Sequence, residues 1–289
     1  MKSLNSVVKL IRPIQWVKNL FLGAPIFFTP SAMSIENIVN VIIGFFCFSL
    51  LASSIYVFND VLDKDSDVFH PIKKSRPIAN GEISKEFAIA LAIVLFATSI
   101  FISYKISISF FYWSVLYGTM MLFYSWLFKQ FAPIDIIVIT LGFVIRVEAG
   151  AAIIDATPTV WLLTLTALIA LFLALAKRRD DLIEGINKNH RQSLSGYNLN
   201  YLEHCISIVS ASILVSYVLY TNDNLAMERL GTSQLYVTIP FVLFGILRYL
   251  QILLVYKRPS SPETILISDR WMGGVVLCWL VSVMFILHS

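Results

Sequence analysis

The chain has 289 residues, of which 57% are hydrophobic and only 14% charged, with a mean hydropathy of +0.77. A soluble globular domain carries roughly 25% charged residues, so this sequence lacks the charge to cover a water-facing surface. The net charge of +4 comes from basic residues parcelled between apolar blocks, which fits membrane topology and excludes a nucleic-acid-binding face.

Apolar blocks near the length that crosses hydrocarbon, about 20 residues, recur along the chain. Nine spans are predicted, near 19–35, 37–58, 87–104, 106–128, 134–154, 156–176, 205–220, 235–256 and 271–288. Pro25 and Pro30 break the first, which reads as tilted or partly interfacial, and the span at 205–220 is short. Cys47, Cys205 and Cys278 sit in or beside apolar blocks and read as small hydrophobes without a disulfide or metal role. A basic, aromatic opening with no small-residue cleavage site argues against a removed signal. No inter-span loop exceeds thirty residues, so 1–289 is expected to form one membrane-embedded, all-α domain.

Orientation follows from the Lys and Arg count on each side. With the N-terminus inside, segments 1–18, 59–86, 129, 177–204 and 257–270 hold eighteen of the 22 basic residues. The other side receives Lys105 and Arg229 only, while Arg146 and Arg248 fall within spans. Nine spans then place the C-terminus outside. The two long loops, 59–86 and 177–204, both fall on the cytoplasmic side and are expected to cap one polar site.

At the inner end of the second span the sequence reads Asn59-Asp60-Val61-Leu62-Asp63-Lys64-Asp65-Ser66-Asp67. A helix continued past the membrane edge places Asn59, Asp60, Asp63 and Asp67 on one face. Three carboxylates there repel one another unless a cation lies between them, and oxygen-only ligands suit Mg²⁺ sharing its shell with substrate phosphates. The plainer alternative is a solvated acidic loop. Basic residues follow at once, in His70-Pro71-Ile72-Lys73-Lys74-Ser75-Arg76-Pro77-Ile78-Ala79-Asn80-Gly81. Acids around a metal, flanked by Lys73 and Arg76, form the set a diphosphate requires. Topology alone also accounts for those cations.

The Asn59–Asp67 run and Arg76-Pro77-Ile78-x-x-Gly81 resemble the UbiA-type intramembrane transferases. The opening Arg12-Pro13-Ile14-Gln15-Trp16-Val17-Lys18-Asn19 is similar to one branch, the polyprenyl-phosphate phosphoribosyltransferases. So are His70-Pro71-x-Lys73, Ile145-Arg146-x-x-Ala149-Gly150, Lys177-Arg178 and Arg191-x-Ser193-Leu194-x-x-Tyr197. The resemblance covers about residues 12–270 and implies a nine-helix, UbiA-like bundle in the cell (inner) membrane, with a cytoplasm-facing polar site. It implies that a phosphoribosyl group passes from 5-phosphoribosyl 1-diphosphate to a polyprenyl phosphate. On that reading Asn59, Asp60, Asp63 and Asp67 hold Mg²⁺, with the three aspartates catalytic. Gln15, Lys18, Asn59, Lys73, Arg76, Arg146, Lys177, Arg178 and Tyr197 bind substrate. Two departures stand out: Val68 replaces an Arg of the branch, and Asp181 stands where the branch tends to have Glu. Lys177-Arg178-Arg179-Asp180-Asp181 is not a second Asp-rich motif, so anion binding is expected there rather than a second metal. A homo-oligomer is left open, and no nucleic acid partner is expected.

Arg146 lies eleven residues beyond Asp135, hence about 16 Å deeper along a helix. An Arg there needs a partner or a polar cavity, which leaves a structural ion pair or a substrate phosphate as alternatives. Arg248, nearer a span end, reads as structural. Two other functions compete. An aromatic prenyltransferase would want a second Asp-rich motif; a transporter would use Arg146 and Glu148 but leave Asn59–Asp67 unexplained.

Overall fold

The structure is a computed structural model that describes residues 4–69, 73–185, 192–256, 265 and 268–288. His70, Pro71 and Ile72 of the basic turn, and Lys2, Lys188, Arg191, Lys257 and Arg258 of the charge count, lie outside the described residues.

Within the described residues the regular structure is helical throughout. α1 (Leu4–Ile11) leads into a 3-10 segment (Pro13–Gly23) and a short α2 (Ala24–Phe27). Then come α3 (Ile35–Leu62), α4 (Lys64–Asp67), α5 (Lys85–Ile106), α6 (Ile108–Trp126) and α7 (Ile134–Ile153). The rest are α8 (Val160–Ile183), α9 (Leu199–Thr221), α10 (Asn224–Leu230), α11 (Ile239–Leu250) and α12 (Arg270–His288). Five long helices begin on a side-chain cap: Ser34, Ser84, Ser107, Thr159 and Asn198 each accept a bond from a backbone N–H three residues on. In hydrocarbon such caps matter more than in water, because no solvent satisfies an orphaned N–H.

Among the described residues seven helices are long and apolar enough to cross a membrane: α3, α5, α7, α8, α9, the composite Gln234–Val255 around α11, and α12. α6 has 19 residues and no charged side chain. The expected first span is not one continuous α-helix. Pro13 opens a 3-10 turn, and Gly23, Pro25 and Pro30 prevent a long α-helix from following. Two other boundaries move. α8 carries Lys177–Asp181 within its last turns, because Arg178 pairs with Asp181 one turn on. α9 begins at Leu199, so Glu203 and His204 lie inside a helix of 23 residues rather than at the edge of a short one.

The chain divides into two compact units: Met1–Phe27, Ala32–Pro158 and Lys188–Ser193 in the first, and Phe28–Ser31, Thr159–Asn187 and Leu194–Ser289 in the second. In the first, Leu22, Phe48, Leu51, Phe110, Tyr117, Ile145 and Ala149 form one buried cluster. Leu10, Val57, Val61, Ile78, Ile83 and Ala88 form another, which packs α1 and the turn after Arg76 onto α3 and α5. Lipid tails are as apolar as Leu, so helix association in a bilayer depends on close approach and polar contacts. Gly150 supplies the closest approach: a Cβ there would lie 1.9 Å from the Leu22 carbonyl oxygen. Gly150→Ala is therefore expected to destabilise the detergent-solubilised protein by about 1–3 kcal/mol. An unchanged melting temperature would mean that the 3-10 segment gives way freely.

In the second unit, the Arg248 guanidinium pairs with Asp269 through Nε at 3.2 Å and Nη2 at 2.7 Å, as a structural role requires. Tyr217 joins Thr238 at 2.6 Å and accepts a bond from Trp279 Nε1 at 2.9 Å.

Candidate active site

The site begins where α3 leaves its apolar stretch. α3 closes on Asp63, whose N–H bonds Asn59 O, and a second short helix starts there, with Asp67 N–H bonding Asp63 O. The i, i+4 ladder thus carries the acidic run outward, but a break at Asp63 sorts its side chains into two pairs. Arg76 Nη1 spans Asp60 Oδ1 at 2.9 Å and Asp67 Oδ2 at 2.6 Å. Lys129 Nζ spans Asp63 Oδ1 at 2.6 Å and Asn59 Oδ1 at 3.2 Å, while Asn59 Nδ2 bonds Asp63 Oδ2. Arg12 Nη2 is a second cation on Asp60 Oδ1, and Lys73 Nζ stands 4.0 Å from Asp67 Oδ1. Asp60 and Asp67 are each only 2% exposed. Burial pushes the Asp67 carboxyl above its ordinary range, and Arg76 and Lys73 partly reverse that.

Arg12 reaches this cluster because its backbone is left-handed (φ 53°), a conformation uncommon outside glycine, which turns the chain from α1 into the 3-10 segment. A 3-10 helix repeats every three residues, so the segment has three ridges. Trp16, Asn19 and Leu22 face inward, with Trp16 Nε1 on Ser53 Oγ and Asn19 Nδ2 on Ser49 Oγ, both at 3.0 Å. Ser49, Ser53 and Asp60 share one face of α3, so the segment runs antiparallel to that helix. Ile14, Val17 and Leu20 form an exposed apolar ridge. Gln15 and Lys18 lie on the third ridge and hydrogen-bond each other at 2.5 Å.

Arg146, 5% exposed in α7, has no carboxylate partner among the described residues. It donates through Nε to Asn19 Oδ1 at 2.8 Å, through Nη1 to Gly142 O at 2.7 Å and through Nη2 to Tyr117 OH at 2.7 Å. Its guanidinium also lies over the rings of Tyr117, Phe143 and Phe48. Of the two alternatives, the ion pair is thus replaced by neutral oxygens and aromatic faces, which together solvate a charge at membrane depth. Asp135, fully buried at the start of α7, accepts a bond from Ser193 Oγ at 2.9 Å.

The structure therefore brings Asn59, Asp60, Asp63, Asp67, Lys73 and Arg76 into one cluster and sets Gln15 and Lys18 on a neighbouring ridge. Lys177, Arg178 and Tyr197 belong to the second unit. There Lys177 is exposed, Arg178 is 1% exposed and bonds Asp181 at 3.2 Å, and Tyr197 stacks on Tyr201. Three site residues escaped the sequence reading. Lys129 is the lone cation of its inter-span segment, a signal that was legible; Arg12 and Asn19 were seen only as parts of a motif. Among the described residues no three His, Cys, Asp or Glu side chains converge as a metal shell.

A polytopic helical bundle with an acidic run at a helix end, each oxygen pair bridged by a cation, defines an integral membrane protein built to handle a charged group at the membrane surface. The UbiA prenyltransferase family profile matches residues 19–189, and the chain belongs to that family. The decaprenyl-phosphate phosphoribosyltransferase of Mycolicibacterium smegmatis is 32% identical over 96% of this chain and 91% of its own length. That of Corynebacterium glutamicum is 30% identical over 98% and 87%. Among solved structures, a UbiA homolog from Archaeoglobus fulgidus bound to GPP and Mg²⁺ superposes with a TM-score of 0.73 at 19% identity, covering 98% of this chain and 99% of that one. The same homolog has also been solved with Cd²⁺, with a TM-score of 0.71.

Proposed function

We propose that this chain transfers the 5-phosphoribosyl group of 5-phosphoribosyl 1-diphosphate to a polyprenyl phosphate, giving lipid-linked phosphoribose and diphosphate. Near-full-length similarity to decaprenyl-phosphate phosphoribosyltransferases carries the reading. The cluster at the end of α3 has the chemistry for it.

Breaking the bond from C1 to the diphosphate leaves an oxocarbenium-like centre, so the leaving group's charge is what needs stabilising. The donor set of Asn59, Asp60, Asp63 and Asp67 is all oxygen, and each of its two pairs already shares one positive nitrogen. That fits a Mg²⁺ ion held by a few protein oxygens, with water and phosphate completing its shell. When bound, the ion supplies charge neutralisation at the diphosphate. Lys73, Arg76 and Lys129 donate hydrogen bonds to the remaining diphosphate oxygens. The acceptor phosphate is ionised at neutral pH, so no general base is required. Gln15, Lys18 and Tyr197 contribute further polar contacts to substrate.

The 5-phosphate distinguishes this donor from a prenyl diphosphate, and Lys177 and Arg178 are assigned to it by charge. Arg178 is buried against Asp181, so Lys177→Ala is the cleaner test. It should weaken use of the phosphoribosyl donor by about 1.5–3 kcal/mol, the scale of a charge-assisted hydrogen bond. Ribosyl 1-diphosphate, which lacks the 5-phosphate, should be a poor donor and nearly indifferent to the change. Normal kinetics per folded molecule would reduce Lys177 to a topology signal. The overall reading is tested by labelled donor in membranes containing the protein: label from phosphoribosyl diphosphate should enter a lipid-extractable product. Turnover of a prenyl diphosphate with an aromatic acceptor, and none of the phosphoribosyl donor, would promote the prenyltransferase alternative.

The 18-to-2 basic-residue distribution supports an N-terminus and loops 59–86 and 177–204 in the cytoplasm, with the C-terminus outside. In a background with Cys205 and Cys278 replaced, Ser75→Cys and Asn222→Cys should label from opposite sides of intact membranes. Labelling from one side would overturn the nine-crossing topology.

A further inference from the structure

We propose that Arg146 is a positioning residue that pins the 3-10 segment between α3 and α7, and so sets the ridge on which Gln15 and Lys18 are presented. The inference rests on the transferase reading above, and replaces a direct phosphate contact for Arg146 with an indirect role.

The geometry is specific. Among the described residues, each hydrogen bond of the guanidinium goes to a neutral oxygen of the first unit. Nε takes Asn19 of the 3-10 segment, Nη2 takes Tyr117 of α6, and Nη1 takes the Gly142 carbonyl one turn back on α7. Asn19 then passes the restraint to Ser49 of α3, whose hydroxyl bonds Phe45 O at 2.7 Å. One turn further along α7, Gly150 admits the Leu22 backbone, so Asn19 and Leu22 are gripped at two successive turns. At the other end, Ser53 bonds both Trp16 Nε1 and Ile11 O, and Arg12 bonds Asp60.

A single 3-10 segment held at Arg12, Trp16, Asn19 and Leu22 has no rotational freedom left, and in a three-residue repeat that fixes Gln15 and Lys18 on one ridge. Loss of the Asn19 restraint frees the segment to rotate or revert toward an α-helix of period 3.6. Gln15 and Lys18 would then be offset by about 60° around the axis instead of eclipsed, and the pair would turn as a whole against α3 and α7. A planar, multiply bonded guanidinium over three aromatic rings suits this task and cannot be replaced by an ammonium on a flexible stem.

The test is a double-mutant cycle on purified, lipid-reconstituted protein, with 5-phosphoribosyl 1-diphosphate and a polyprenyl phosphate as substrates. Arg146→Gln should reduce kcat/KM roughly tenfold or more, the scale of a lost charge-assisted bond. In a Lys18→Ala background the same change should have little further effect, because the ridge it positions has already lost its charge. Arg146→Lys should be as poor as Arg146→Gln. Asn19→Ala cuts the same link from the other side without touching the buried charge, and should repeat the non-additivity if Arg146→Gln fails to fold. Losses that simply multiply, or full activity in Arg146→Lys, would overturn the inference and return Arg146 to a direct electrostatic role. If wild-type protein does not turn over these substrates, the transferase reading fails first, and the rate of thiol labelling at Lys18→Cys still decides the inference. That rate should change when Asn19→Ala is added; an unchanged rate counts against the pin.

Discussion

Replacing Asp63 or Asp67 with Asn should lower turnover by roughly 10³-fold, the scale of removing one preorganised electrostatic contact from a transition state. Each change keeps the shape of the side chain and deletes one negative charge from the proposed Mg²⁺ shell. The two sites differ in what else they disturb. Asp63 is part-exposed and shares Lys129 with Asn59, whereas Asp67 is buried against Arg76. Asp67→Asn should therefore show the larger thermal shift of the two, while Asp63→Asn should fold normally and read out chemistry alone. Asp65, two residues from each, is exposed on the short α4 and makes none of the cluster's ion pairs. Asp65→Asn should leave kcat within about twofold, as expected of a surface substitution. Equal damage at Asp65 and Asp63 would show that the acidic run works as a diffuse charge and not as a set of ligands.

Arg76→Ala should destabilise the metal-free protein by about 3–5 kcal/mol, the penalty for stripping the partner from a buried charge. The change removes the guanidinium nitrogen that joins Asp60 to Asp67, and both carboxylates are almost fully buried. Arg12 remains on Asp60, but among the described residues the cation left for Asp67 is Lys73, 4.0 Å away. Adding Mg²⁺ should raise the melting temperature of Arg76→Ala more than that of the wild type, because in the variant the ion meets carboxylates with no guanidinium to displace. Equal shifts in both proteins would argue that the ion, if bound, does not use the Asp60–Asp67 pair. Activity should stay low even with Mg²⁺ restored, since Arg76 is also assigned to the diphosphate.

Much of this was legible along the chain. Charge-free apolar blocks marked most of the membrane helices, because a bilayer leaves a spanning segment no other way to satisfy its backbone than a helix of sufficient length. Asn59–Asp67 stood out because four ligand-type oxygens at helical spacing next to an apolar span have few other uses. The boundaries read less well where polar side chains sit inside helices. Lys177–Asp181 looked like loop and Glu203 like the edge of a short span, yet an i, i+3 ion pair and a helix cap carry α8 and α9 through them.

By itself the sequence determined the membrane class, the acidic ligand run and the basic residues near it, since these depend on residue type and on spacing within one element. The tertiary structure alone decided how the charges are shared. That Arg76 joins Asp60 to Asp67, that Lys129 arrives on Asn59 and Asp63 from a segment 66 residues away from Asp63, and that Arg146 finds Asn19 across 127 residues are facts of packing between elements. No periodicity records them. The 3-10 segment is the clearest case: its motif was visible, but a repeat of three, rather than 3.6, is what aligns Trp16, Asn19 and Leu22 on one inward ridge. That repeat goes with the segment's contacts to α3 and α7, which no pattern within the motif records.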